Sequence, residues 1–157
     1  MEEQKKFMRE AIRLSVENVE SGRGGPFGAV VVKHGEIIAS GANEVTSSND
    51  PTAHAEVVAI RKACEKLGTF QLDDCEIYCS CEPCPMCLGA IYWARPSRIY
   101  YANTKADAAN INFDDDFIYQ EIDLPIDGRK LPTQQILRDE AIKAFELWQG
   151  STEKTEY

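Results

Sequence analysis

Between Glu3 and Val19 the residues Phe7, Met8, Ala11, Ile12, Leu14, Ser15, Val16 and Val19 recur at helical spacing with charges between them. This pattern predicts an amphipathic helix. Gly22-Arg23-Gly24-Gly25-Pro26 ends it. The runs Phe27 to Val32 and Glu36 to Gly41 then flank His34-Gly35, predicting two strands about a tight turn. A polar loop, Asn43 to Asp50, leads through Pro51-Thr52 into a stretch from Ala53 to Leu67 rich in Ala, Glu, Lys and Val. Gly68 closes that stretch, which predicts a second helix. Cys75 to Ser80 reads as a short strand, Pro85 to Ala94 as a helix with proline in its first turn, and Arg98 to Tyr101 as another strand. Strand, helix and strand in that length make a parallel βαβ crossover. Beyond it, Phe117 to Ile122 predicts one or two helical turns, Gln134 to Leu137 a short strand, and Glu140 to Trp148 a helix. The tail from Ser151 to Tyr157 has no obvious core to join. The sum is an α/β chain with a three-layer α/β/α arrangement: a central mixed sheet of about five strands flanked by helices.

A length of 157 residues fits one domain, residues 1–157. With 43% hydrophobic and 27% charged residues, the composition is that of a soluble globular protein. The 17 basic and 26 acidic residues leave a formal charge of -9, which repels a phosphate backbone and argues against a nucleic-acid partner. Nowhere do 18 apolar residues run together, and the opening Met1 to Lys6 leads into no hydrophobic signal region, so the expected setting is cytoplasmic, without a membrane partner. Six cysteines (64, 75, 79, 81, 84 and 87) are therefore expected as reduced thiols and not as a disulfide framework.

Two segments carry candidate chemistry: His54-Ala55-Glu56 at one helix start and Pro83-Cys84-Pro85-Met86-Cys87 at another. Zinc accepts imidazole and thiolate ligands in tetrahedral geometry, and catalytic sites usually take three protein ligands and leave the fourth position to water. His54, Cys84 and Cys87 supply three, for one zinc per chain. Cys84 and Cys87, three apart, share a helix face, and a helix N-terminus favours their thiolate forms. His54 and Glu56 are two apart, about 200° on a regular helix, so the helix must point its N-terminal end at the metal. Glu56 then stands beside the metal as a base and not as a ligand. Competing readings are a structural zinc site completed by Cys81 or Cys79, an iron–sulfur run and a redox dithiol. The iron–sulfur run would need a cysteine where Ile91 stands, and the dithiol leaves His54 and Glu56 without purpose. Cys64, Cys75 and Cys79 lie among apolar residues and read as small buried hydrophobes.

The motif H-x-E followed by P-C-x-x-C resembles the zinc deaminases of the cytidine deaminase-like fold. Within them the chain is similar, nearly end to end, to the small bacterial guanine deaminases. The likeness is carried by Gly24 to Ala29, Asn49 to Glu56, Ser80 to Cys87 through Trp93-Ala94-Arg95, Phe113-Asp114-Asp115 and the closing Glu156-Tyr157. It implies hydrolysis of guanine to xanthine and ammonia, with Glu56 as proton shuttle and Asp115, in preference to Asp114, assisting proton transfer at the base. It also implies that Phe27 packs on the purine, that Asn43 hydrogen-bonds the ring, and that Ala55, Trp93 and Tyr157 complete the substrate contacts. A further implication is a homodimer that exchanges C-terminal segments, the tail at about 150–157 closing the partner's site. Taken singly, Phe27 would read as hairpin core, Asn43 as a turn residue, Asp114 to Asp116 as a helix cap and Tyr157 as a frayed end; their order around the zinc core favours the site. That core alone does not name the base. A tRNA adenosine deaminase and a deaminase of cytosine or another aminopurine share it, and a silent zinc-binding module would keep the cysteines without needing Glu56.

Overall fold

The computed structural model describes residues 2–157 and builds its sheet around a strand that is apolar on both sides. In β1 (Gly28–Lys33) the alternation inherent in a strand sends Ala29 and Val31 to one face and Val30 and Val32 to the other, and all four are buried. The helix α1 (Glu2–Glu20) covers the second face: Phe7, Met8, Ala11 and Leu14 pack with Val30, Val32, Tyr78 and Tyr100. The helices α3 (Ala55–Leu67) and α4 (Pro85–Ala94) supply Ala55, Ala59, Ala63, Ile91 and Ala94 to the first. Helices thus lie on both faces of the sheet, the three layers that the hydrophobic pattern predicts.

The sheet has four strands in the order β2-β1-β3-β4, with β2 at Glu36–Ala42, β3 at Cys75–Cys81 and β4 at Arg98–Asn103. β1 runs antiparallel to β2 and β3, and β3 is parallel to β4 across the α4 crossover. His34 and Gly35 both have positive φ, the backbone that the tight β1–β2 turn requires. The expectation of about five strands is corrected to four. Gln134 to Leu137 is not a strand, because among the described residues no strand pairs with it and Leu137 takes a left-handed conformation (φ 55) that leads directly into a helix. Short helices α2 (Val45–Ser48) and α5 (Lys105–Ala109) had no periodicity long enough to announce them.

The chain divides into two compact units, one ending at Asp116 and the other Phe117–Tyr157. The first holds the sheet, α1 to α5 and both apolar clusters. The second carries α6 (Asp116–Asp123, whose first residue belongs to the first unit) and α7 (Arg138–Gly150), with a 3-10 turn at Ile126–Gly128. Within it Arg129 Nε donates to the Glu121 carbonyl at 3.0 Å, and the Lys130 ammonium sits 4.8 Å from the Phe117 ring centroid. No residue of α6 or α7 is buried. No helix among the described residues is long and apolar enough to cross a membrane.

Glycine sets the distance between the layers. A Cβ on Gly28 would overlap the Ala11 carbonyl of α1, and one on Gly41 the Ala55 carbonyl of α3, so both helices lie against bare backbone. Gly28→Ala is expected to cost about 1–3 kcal/mol through overpacking. Gly89, exposed on α4 with open space where a Cβ would go, is the contrast: Gly89→Ala is expected to stabilise by about 0.5–1 kcal/mol. Denaturant titration of the two variants checks both signs.

Candidate active site

The helices α3 and α4 begin near one point at the end of the sheet. His54 is the N-cap of α3, with extended backbone (φ -68, ψ 156), so its imidazole lies outside the helical turns. Cys84 is the N-cap of α4, also extended (φ -66, ψ 168), and its sulfur accepts the Cys87 amide N–H at 3.5 Å. Pro85 follows at the first helical position, where a missing N–H costs nothing. The conflict between His54 and Glu56 on a regular helix is therefore resolved: the histidine caps and the glutamate occupies the first turn.

The His54 Nδ1 lies 3.5 Å from Cys84 Sγ and 3.5 Å from Cys87 Sγ. Bond lengths of roughly 2.0–2.1 Å to nitrogen and 2.3 Å to sulfur at a tetrahedral angle would separate such ligand pairs by about 3.6 Å. The three donors thus fit the edges of a zinc tetrahedron. They form the one metal-binding cluster found among the described residues. Neither of the cysteines considered as a fourth ligand joins it: Cys81 donates its thiol to the Thr104 carbonyl at 3.6 Å, and Cys79 is buried in the apolar cluster behind α3. All six cysteines are free thiols.

The donors share protons among themselves. A hydrogen bond from Cys87, then one from His54, holds the Cys84 thiol well below the usual range, while the same bond to Cys84 pushes Cys87 up. His54 is raised, chiefly by its hydrogen bond to Cys84. Such a group, one sulfur readily ionised and both at helix N-termini, is chemically suited to a divalent cation. Glu56 is buried, and burial is the leading cause of its raised carboxyl pKa. Its Oε2 accepts from the Cys87 thiol at 3.4 Å. A carboxyl with these properties carries a proton more readily than a solvated one.

The other anticipated residues divide. Phe27 meets Phe113 edge-on, with ring centroids 5.0 Å apart, so the loop between α5 and α6 adds an aromatic beside the anticipated one. Asn43 is buried, and its Oδ1 accepts from the Val45 N–H at 3.3 Å. Asp114 accepts the Asp116 N–H at 3.0 Å and is exposed. Asp115 is half-buried; burial raises its pKa first, the Cys84 charge adds to that rise, and Asp115 in turn raises His54 and Cys81. Asp115 is thus coupled electrostatically to the cluster. Ala55 is fully buried at the first position of α3. Trp93 is 64% exposed on α4, and Tyr157 is 68% exposed in the second unit. Gly28 donates its N–H to the buried Ser80 hydroxyl at 3.0 Å, fastening the start of β1 to β3 at the end of the sheet where the donors sit. No spacing in the sequence marks that bond.

Residues 1–103 match the family model for the cytidine and deoxycytidylate deaminase zinc-binding region. The chain is 58% identical over 151 residues to a guanine deaminase of Bacillus subtilis, covering 96% of this chain and 97% of that one. An X-ray structure of guanine deaminase from Bacillus subtilis superposes with a TM-score of 0.95 at 57% identity, covering 98% of each chain. A tRNA-specific adenosine deaminase of Aquifex aeolicus is 42% identical over 61% of this chain and 63% of its own length. The capped donors of α3 and α4 and these likenesses have one explanation: the chain belongs to the cytidine and deoxycytidylate deaminase zinc-binding family.

Proposed function

We propose that this chain hydrolyses guanine to xanthine and ammonia. The observation that carries the reading is a buried glutamate, Glu56, within hydrogen-bond reach of a three-donor cluster that fits zinc. The choice of base draws its support from the relative: the guanine deaminase is 58% identical over 96% of the chain, against 42% over 61% for the Aquifex aeolicus tRNA-specific enzyme. A net charge of -9 also suits a small neutral base better than an RNA.

Zinc held by His54, Cys84 and Cys87 would acidify a water molecule beside Glu56 and so supply the nucleophile. Glu56 takes a proton from that water and delivers it to N3 of guanine, next to the attacked C2. The hydroxide so formed bonds to C2; Glu56 then takes the proton of the new C2 hydroxyl and gives it to the amino group, beside which Asp115 stands, so that the C2–N bond breaks and ammonia leaves as the C2 carbonyl forms. Phe27 supplies an aromatic face to the purine and Asn43 an amide to its edge. Ala55 lines the floor and Trp93 one wall. The tail at about 150–157 closes the site of a second subunit in a homodimer. In favour of that partner, the large apolar side chains of Leu131, Ile136, Phe145 and Leu147 stand exposed in the Phe117–Tyr157 unit.

Glu56→Gln is expected to retain zinc and lose guanine turnover by roughly 10²–10⁴-fold. Cys84→Ala and Cys87→Ala are expected to lose both zinc and turnover. Metal analysis beside a xanthine assay separates the two results, and wild-type protein that releases no xanthine refutes the choice of base. Deleting Lys154 to Tyr157 is expected to lower guanine kcat/KM by at least about tenfold, as a lost closing contact would; unchanged kcat/KM refutes the lid.

A further inference from the structure

At the C-terminal end of α1 one side chain ties together two segments far apart in the sequence. Asn18 is 1% exposed, and its Nδ2 donates to the Gly25 carbonyl at 2.8 Å and to the Asn43 carbonyl at 2.9 Å. Both hydrogens of the amide are thereby used. The two carbonyls are joined by a second path. The Phe27 N–H donates to the Gly25 carbonyl at 2.9 Å, and the Asn43 N–H donates to the Phe27 carbonyl at 3.1 Å. Gly25, Phe27 and Asn43 form a closed ring of hydrogen bonds with the Asn18 amide as its keystone.

Glycine makes room for that ring. A Cβ on Gly24 would overlap the Asn43 carbonyl oxygen and would lie 3.0 Å from Asn18 Nδ2. The loop at Gly24 therefore presses directly on the carbonyl that Asn18 holds, beside the Asn18 amide. Two of the ring's members, Phe27 and Asn43, are the groups proposed above to face and read the base.

We infer that Asn18 is a positioning residue for purine recognition: its amide fixes the Phe27 ring and the Asn43 amide relative to each other. This rests on the proposed roles of Phe27 and Asn43. Asn18 itself is buried beneath both loops and has no part in the zinc cluster, whose donors are carried by α3 and α4. Loss of its amide should therefore weaken binding of the base and leave the chemical groups intact.

Asn18→Asp keeps the shape, removes both donors and turns a carboxyl group toward two carbonyls. It should raise the KM for guanine by roughly 10- to 100-fold, the scale on which misplacement of about 1 Å acts, and leave kcat within a few-fold. Zinc content should not change. Gly24→Ala, whose Cβ crowds both the Asn43 carbonyl and the Asn18 amide and so breaks their bond, should move KM in the same direction and decides the matter if Asn18→Asp fails to fold. Asn43→Ala is measured in parallel. If Asn43→Ala raises KM while neither Asn18→Asp nor Gly24→Ala does, the positioning role is overturned and the base-reading role of Asn43 stands. If Asn43→Ala leaves KM unchanged, that base-reading role fails and this inference falls with it. A fall in kcat and melting temperature at constant KM marks Asn18 as merely structural and also overturns the inference.

Discussion

Two helices that begin at the same place impose the constraint on which the rest of this structure depends. The imidazole of the residue that begins α3 and the thiol that caps α4 meet with 3.5 Å between nitrogen and sulfur, and the second thiol returns one turn later to the same nitrogen at the same distance. Three electron-rich donors so close are tolerable because the positive ends of both helices face them and because a cation can be shared among them. The sheet holds those helix ends in place. β3 leads into the Cys84 cap and β2 packs bare glycine backbone against the first turn of α3. Any shift of either helix by a fraction of an ångström would alter both nitrogen–sulfur distances together.

The same layering explains why Glu56 is chemically unlike a surface glutamate. It sits in the first turn of a helix whose buried face continues through Val58, Ala59 and Ala63, packed on a strand buried on both faces, so water reaches it poorly and burial raises its carboxyl pKa. Cys79 and Cys81 lie near the cluster in sequence, yet the strand geometry turns them to other tasks, one into the core and one to the Thr104 carbonyl. Donor number is thus limited by the fold and not by a shortage of cysteine.

Much of this was readable from residue spacing, for physical reasons that differ by region. β1 and β2 announce themselves because both flank a His-Gly turn with the positive φ such hairpins need, and α4 because Pro85 can only begin a helix. The zinc donors are legible because a metal fixes residue type and spacing together. The last third was less so. Gln134 to Leu137 has the composition of a strand, but pairing is a tertiary property, and Leu137 turns left-handed to start α7. Phe113 belongs to a stretch that carries the resemblance, but its edge-on contact with Phe27 joins residues 86 apart in sequence, a separation no local pattern reports. The Ser80 hydroxyl that receives the Gly28 N–H is silent for the same reason.

The account requires a zinc ion with three protein ligands and one position left for solvent. X-ray absorption at the zinc edge of the loaded protein tests this directly. It should show two sulfur scatterers at about 2.3 Å and two nitrogen or oxygen scatterers at about 2.0–2.1 Å, one from His54 and one from exchangeable water. A shell of three or four sulfurs, as Cys81 or Cys79 would add, would contradict it.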